Sequence, residues 1–146
     1  MMMTNEEYKE RRDEIYGNPS LGFCEVQDAL DALRVEWLNS MEVGDKAHIQ
    51  HYSDVTPCTI IKKTKTTFTV RCDKAVKTDK WGPKWVVGGF SAHCKNNEDQ
   101  DDWWECIDDP NGHTEVFRWS RVYNAFRNTD GEKLYPGWRY YHDYNF

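Results

Sequence analysis

An α+β fold, mainly β, is predicted by three observations. Helical patterns are confined to residues before 41, period-two alternation takes over beyond it, and the loops joining the first alternating runs are too short for parallel crossovers. The organisation expected is an N-terminal helical segment over 1–40 and a β domain over 41–146, with a long excursion at 74–112. At 146 residues a single core is the default.

Thr4 with Glu7 three residues on is a capping-box signature opening "TNEEYKERRDEIYG", and Gly17 supplies a stop. After the "GNPS" turn, Val26, Leu30, Leu33 and Trp37 recur at helical spacing, which predicts an amphipathic helix docked on the core. In "MEVGDKAHIQHYSDVTPCTIIKKTKTTFTVRCDKA" the character changes. Ala47, Ile49 and His51 alternate with His48 and Gln50, "PCTIIKK" is rich in β-branched residues, and Phe68, Val70 and Cys72 alternate with Thr67, Thr69 and Arg71. Joined by "SDVTP" and "KTKT", these runs predict an antiparallel meander.

From Lys74 to Gly112 the alternation breaks into short apolar runs punctuated by Gly-Pro, Gly-Gly and Asn-Gly. A structureless loop of that length is unusual, so "KWVVGGF" and "WWECI" are expected to be strands of a hairpin excursion with acidic residues at its tip. "HTEVFRWS" and "RVYNAFRNTDGEKL" then read as a closing hairpin, with Val116 and Arg118 on one face and Phe117 and Trp119 on the other. About five bent strands around one small core make an SH3/Tudor-like antiparallel barrel the natural closure.

Composition narrows the functional classes. Aromatics reach 14%, with 7 Trp and 8 Tyr, while mean hydropathy is −0.91. That mixture suits a small core walled by rings, some left at the surface for contact. No window approaches the ~18 apolar residues of a membrane span, and "MMMTNEEYKERRDE" lacks a signal-peptide stretch, so a cytoplasmic, non-membrane protein is expected. Five cysteines at irregular spacing fit reduced thiols, with Cys58 and Cys72 at core strand positions.

The net charge of −6 conceals a segregation. Between Lys62 and Lys84 eight basic residues face only Asp73 and Asp79, whereas Glu98 to Asp109 holds seven carboxylates and no cation. Either the surface is dipolar or the acidic segment folds back over the basic strands.

Catalytic patterns are absent from the sequence. It holds no G-x-S-x-G elbow, no cysteine motif and no nucleotide-binding glycine fingerprint, and an enzyme is not expected. His48 and His51 fall on opposite strand faces. His93, Cys94, Cys106 and His113 have zinc-ligand chemistry at spacings that match no familiar pair, so no metal and no cofactor is expected.

Two surfaces remain. In the acidic run, Trp103 and Trp104 on a short strand would face opposite ways, one entering the core while the other stays available among Asp101, Asp102 and Glu105. A tryptophan ringed by acids resembles a hot spot aimed at a basic protein surface. In "KTDKWGPKW", Lys80, Trp81, Lys84 and Trp85 combine ammonium groups with ring platforms, chemistry for a nucleotide or a nucleic acid.

The stretches "VGDKAHIQHYSDVTPCTIIKKTKTTFTVRCDKA", "DPNGHTEVFRWS" and "GWRYYHDYNF" resemble a widespread family of small bacteriophage and prophage proteins with an SH3-like barrel. The shared pattern is a Val-Gly start, a "YSD" turn, a "T-I-I" strand, a "PNG" turn and an aromatic tail; the N-terminal helices and the Trp-rich acidic excursion depart from it. The resemblance implies a phage origin and a barrel, and brings no activity or site residue. The expected function is therefore a non-enzymatic phage accessory protein in the host cytoplasm, binding and neutralising a host protein through the acidic tryptophan surface. The alternative is a nucleotide- or nucleic-acid-sequestering module using the Lys/Trp patch, assembled as a homo-oligomer through the Val26–Trp37 stripe.

Overall fold

The computed structural model describes residues 3–88 and 91–145. Two helices come first, α1 (Asn5–Tyr16) and α2 (Phe23–Asn39). Among the described residues ten strands follow: β1 (Lys46–Gln50), β2 (Val55–Lys63), β3 (Thr67–Cys72), β4 (Lys74–Lys77), β5 (Trp85–Gly88), β6 (Ser91–Cys94), β7 (Trp104–Ile107), β8 (Thr114–Ser120), β9 (Ala125–Arg127) and β10 (Lys133–Pro136).

Thr4 caps α1 as its spacing predicts, accepting the Glu7 amide at 3.1 Å. The helix is held to α2 by Tyr8 stacked on Trp37, with centroids 4.3 Å apart, and by a bidentate Arg11–Glu36 pair. Only the C-terminal half of the α2 stripe docks firmly. Leu33 and Leu38 are buried and Trp37 packs against the barrel core, while Phe23 at the helix start is 80% exposed.

Six strands close the barrel in the order β1-β2-β3-β8-β9-β10, every neighbour antiparallel, with β10 returning to β1 through Ala47↔Pro136 and Ile49↔Leu134. The expectation of about five strands is corrected to six, because the C-terminal hairpin supplies both β9 and β10. The alternating positions turn inward as predicted. Ala47, Ile49, Phe68, Val70, Phe117 and Phe126 form a dry core with Leu38 and Met41 from the helical side. A register shift between Ile60 and Lys62 bends β2, and Ile61 there is 41% exposed. No described helix is long and apolar enough to cross a membrane.

The excursion differs from expectation in its internal pairing. "WWECI" does not pair with "KWVVGGF": β7 pairs with β4, a strand the sequence pattern did not reveal, and β5 pairs with β6. One two-stranded unit thus nests inside another; Gly89 and Phe90 lie outside the described residues. The acids from Glu98 to Asp102 are not at the hairpin tip. They sit in the turn and short 3-10 helix (Gln100–Asp102) that lead into β7, because Asn97 and Gln100 are buried there against the C-terminal tail.

Candidate functional site

The excursion and the tail after β10 make a second packing unit on the barrel, built around polar side chains. Gln100 donates to the His142 carbonyl at 2.6 Å and to the Asn97 carbonyl at 2.9 Å, while its oxygen accepts the His142 amide and the Trp104 indole N–H. Asn97 donates to the Tyr141 hydroxyl and the Asp143 carboxylate and accepts the Tyr144 amide. Asn145 exchanges two hydrogen bonds with the backbone of Cys94. Buried polar groups that are satisfied in this way order a segment that little apolar area would hold.

Tyr144 is the aromatic hub of this unit. Trp85 and Trp103 meet its ring edge-on with centroids 6.0 and 6.2 Å away, and the Trp81 indole donates to its hydroxyl at 3.1 Å. A second anchor is Asp73, whose carboxylate accepts from Thr59, Arg71, the Asp109 amide and the Trp138 indole. Burial pushes the Asp73 carboxyl up, yet the bonds from Thr59, Asp109 and Arg71 outweigh it and hold the group below the ordinary carboxylate value.

This packing sorts the residues of the acidic surface. Trp103 is 5% exposed and belongs to the Tyr144 cluster, capping the 3-10 turn instead of lying on a strand. Trp104 is half-buried, stands edge-on to Tyr140 at 4.5 Å, and lines a surface pocket of about 240 Å³ with Asp101, Cys106, Trp138, Arg139 and Tyr140. One ring is therefore core and the other forms part of a pocket wall. Asp101, Asp102 and Glu105 are exposed.

The charge segregation resolves into both alternatives at once. Asp108 bridges Lys46 and Arg71, Asp109 pairs with Lys74, and Asp102 with Lys80, so these acids do fold back on basic strands. Glu98, Asp99, Asp101 and Glu105 form no ion pair among the described residues. The residual acidity is concentrated on the turn beside the Trp104 pocket and on β7.

The Lys/Trp patch is brought together, but its groups are partly engaged by one another. Lys77 places its ammonium 3.7 Å from the centre of the Trp81 ring, and Lys80 reaches Asp102. Lys84 is exposed, and Trp85 is 53% exposed on the β5–β6 arm beside Val87 at 86%.

A third site was not singled out from the sequence. At one mouth of the barrel, Cys72 Sγ lies 3.4 Å from His113 Nε2 and 3.5 Å from Glu115 Oε2, and those two atoms are 3.2 Å apart. The other Glu115 oxygen accepts from Asn128, which also donates to Glu132; Glu132 in turn bonds His51, whose second nitrogen meets Thr56. Cys72 sits at the end of β3, His113 immediately precedes β8 and Glu115 is its second residue, so only the β3–β8 register unites them. His113 thus meets Cys72; it forms no ligand-like group with His93, Cys94 and Cys106 among the described residues. Burial, joined by the nearby Glu115 and Asp73 charges, pushes the Cys72 thiol up to about 12, and burial raises Cys106 to about 11; neither has the depressed value of an activated nucleophile.

Comparison with protein-family models, curated proteins and solved structures returns no match.

Proposed function

We propose that this chain is a non-enzymatic binding protein, a small SH3-like barrel that presents the excursion as an acidic, aromatic-walled docking surface for a basic region of a protein partner. The observation that carries the reading is the pocket between Trp104, Trp138 and Tyr140, with Asp101 at its edge and Arg139 also in its wall, opening beside Glu98, Asp99 and Glu105, which like Asp101 form no ion pair among the described residues. The chain's own Lys46 ammonium already lies 4.2 Å from the centre of the Trp138 ring, so a long cationic side chain of the partner would lay its methylene stem along Trp104 and Tyr140 while its charged head meets Asp101. The phage-protein resemblance of the sequence supplies the setting, in which the partner is a host factor neutralised in the host cytoplasm. The nucleotide or nucleic-acid alternative draws less support, because Lys77 covers one face of Trp81 and Lys80 is paired with Asp102.

The test is capture from nuclease-treated lysate of infected host cells, with bound proteins identified by mass spectrometry. One host protein at near-stoichiometric amount is expected. It should be lost with Asp101→Arg/Glu105→Arg, a charge reversal at exposed positions that leaves the packing intact, and kept with Lys84→Ala/Trp85→Ala. The reverse pattern, or an empty capture, would overturn the proposal.

A further inference from the structure

The barrel-mouth cluster has the geometry of a metal site. Zinc holds thiolate sulfur at about 2.3 Å and imidazole nitrogen or carboxylate oxygen at about 2.0–2.2 Å, so tetrahedral angles put the ligand atoms about 3.3–3.6 Å from one another. Octahedral angles with the same bond lengths would bring them to about 2.9–3.1 Å. The three separations observed, 3.4, 3.5 and 3.2 Å, lie at or near the tetrahedral edges.

Backbone and neighbours hold this arrangement. The Cys72 amide donates to the His113 carbonyl at 2.9 Å, fixing the two residues across the β3–β8 ladder. Gly112, closing the "DPNG" turn, passes so near that a Cβ there would strike the Cys72 carbonyl, so glycine is what lets the chain deliver His113 to the thiol. Asn128 binds the far Glu115 oxygen at 2.9 Å and is itself anchored by Glu132, which turns the near oxygen toward Cys72 and His113. Carboxylate orientation by such an outer partner is a regular feature of metal centres. Cys72 is buried, Glu115 is largely covered and His113 is 73% exposed, so the group is protein-lined on one side and open to solvent on the other.

We infer that Cys72, His113 and Glu115 bind one zinc-class divalent ion in tetrahedral geometry, with the fourth position facing solvent. Sulfur and imidazole donors select such a transition metal over magnesium or calcium. On binding, the thiol proton is released to solvent and a sulfur–metal bond forms. The proposal replaces the sequence-based expectation that the chain holds no metal, whose spacing argument considered His113 beside Cys106 and not across from Cys72.

The probes are zinc(II) and cobalt(II) ions alone, titrated into the chelator-stripped 146-residue chain. One ion per chain is expected, with the cobalt adduct showing a thiolate charge-transfer band and the intense visible absorption of a tetrahedral centre. His113→Ala, at an exposed position, should leave the metal-free melting temperature unchanged and weaken binding at least tenfold, while Asn128→Ala should weaken it by about tenfold through the carboxylate it orients. Absence of the thiolate band, an octahedral cobalt spectrum, or undiminished affinity in His113→Ala would each overturn the assignment.

Discussion

The barrel and the excursion are stabilised by different physics, though one chain builds both. Inside the barrel Phe68, Phe117, Ile49 and Leu134 are no more than 1% exposed, and the hydrophobic effect suffices to hold them. In the excursion the buried centre includes Asn97 and Gln100, and the ligands of those amides come from the tail some forty residues further on. The contrast teaches that the barrel is specified by volume and pattern, whereas the excursion is specified by individual hydrogen bonds. The second kind of order holds the excursion's charges and rings in one arrangement, since satisfied buried amides define it.

The comparison breaks most severely at the barrel. Phe117→Ala should cost about 3–5 kcal/mol, the usual penalty for an emptied aromatic core site, and should lower the denaturation midpoint of both regions together. A smaller, more selective effect is expected at the amide: Gln100→Ala should cost about 1–3 kcal/mol by stranding the Trp104 indole and the His142 backbone. Limited proteolysis should then cut within 74–112 while the barrel remains intact.

The smallest effect sharpens the comparison through pH. Burial holds His48 below the ordinary histidine value, outweighing its bond to the Gly137 carbonyl, with Arg139 pushing the same way. The folded state therefore favours neutral imidazole, and the unfolded chain takes up the proton first as pH falls. Stability should be fully present above the unfolded value of about 6.5 and decline as pH drops from there toward the folded value, and His48→Gln should flatten this part of the thermal-melt profile.

Much of the barrel was legible in the sequence because its inner face repeats at period two. Ala47, Ile49, Phe68, Val70 and Phe117 all turn inward where alternation puts them. The excursion was less legible for a physical reason: its core residues include polar ones, and Asn97 or Gln100 in a sequence gives no sign of burial. β4 was hidden for a related reason, since "KAVK" carries too little apolar signal and gains its partner only from β7. For the candidate surface, strand alternation put one of Trp103 and Trp104 inward without saying which; the buried one is Trp103, on the 3-10 turn, which takes it out of the expected contact surface, and Trp138 and Tyr140, which complete the pocket, lie in the tail. The Cys72–His113–Glu115 group left one usable clue. "PNG" sets the turn before β8, and projecting β3 onto β8 from there would have placed His113 opposite Cys72 and Glu115 opposite Val70, diagonal to Cys72.

The most direct test of this two-part account is amide hydrogen exchange on the full chain and on a chain ending at Arg139, which keeps Trp138 but loses the tail partners of Asn97, Gln100 and Trp103. The account predicts that protection collapses over 92–107 while β1, β3, β8 and β2 keep theirs, apart from the Val55 amide, whose acceptor is the Tyr141 carbonyl. Unchanged protection in the excursion, or loss spread evenly through the barrel, would contradict it.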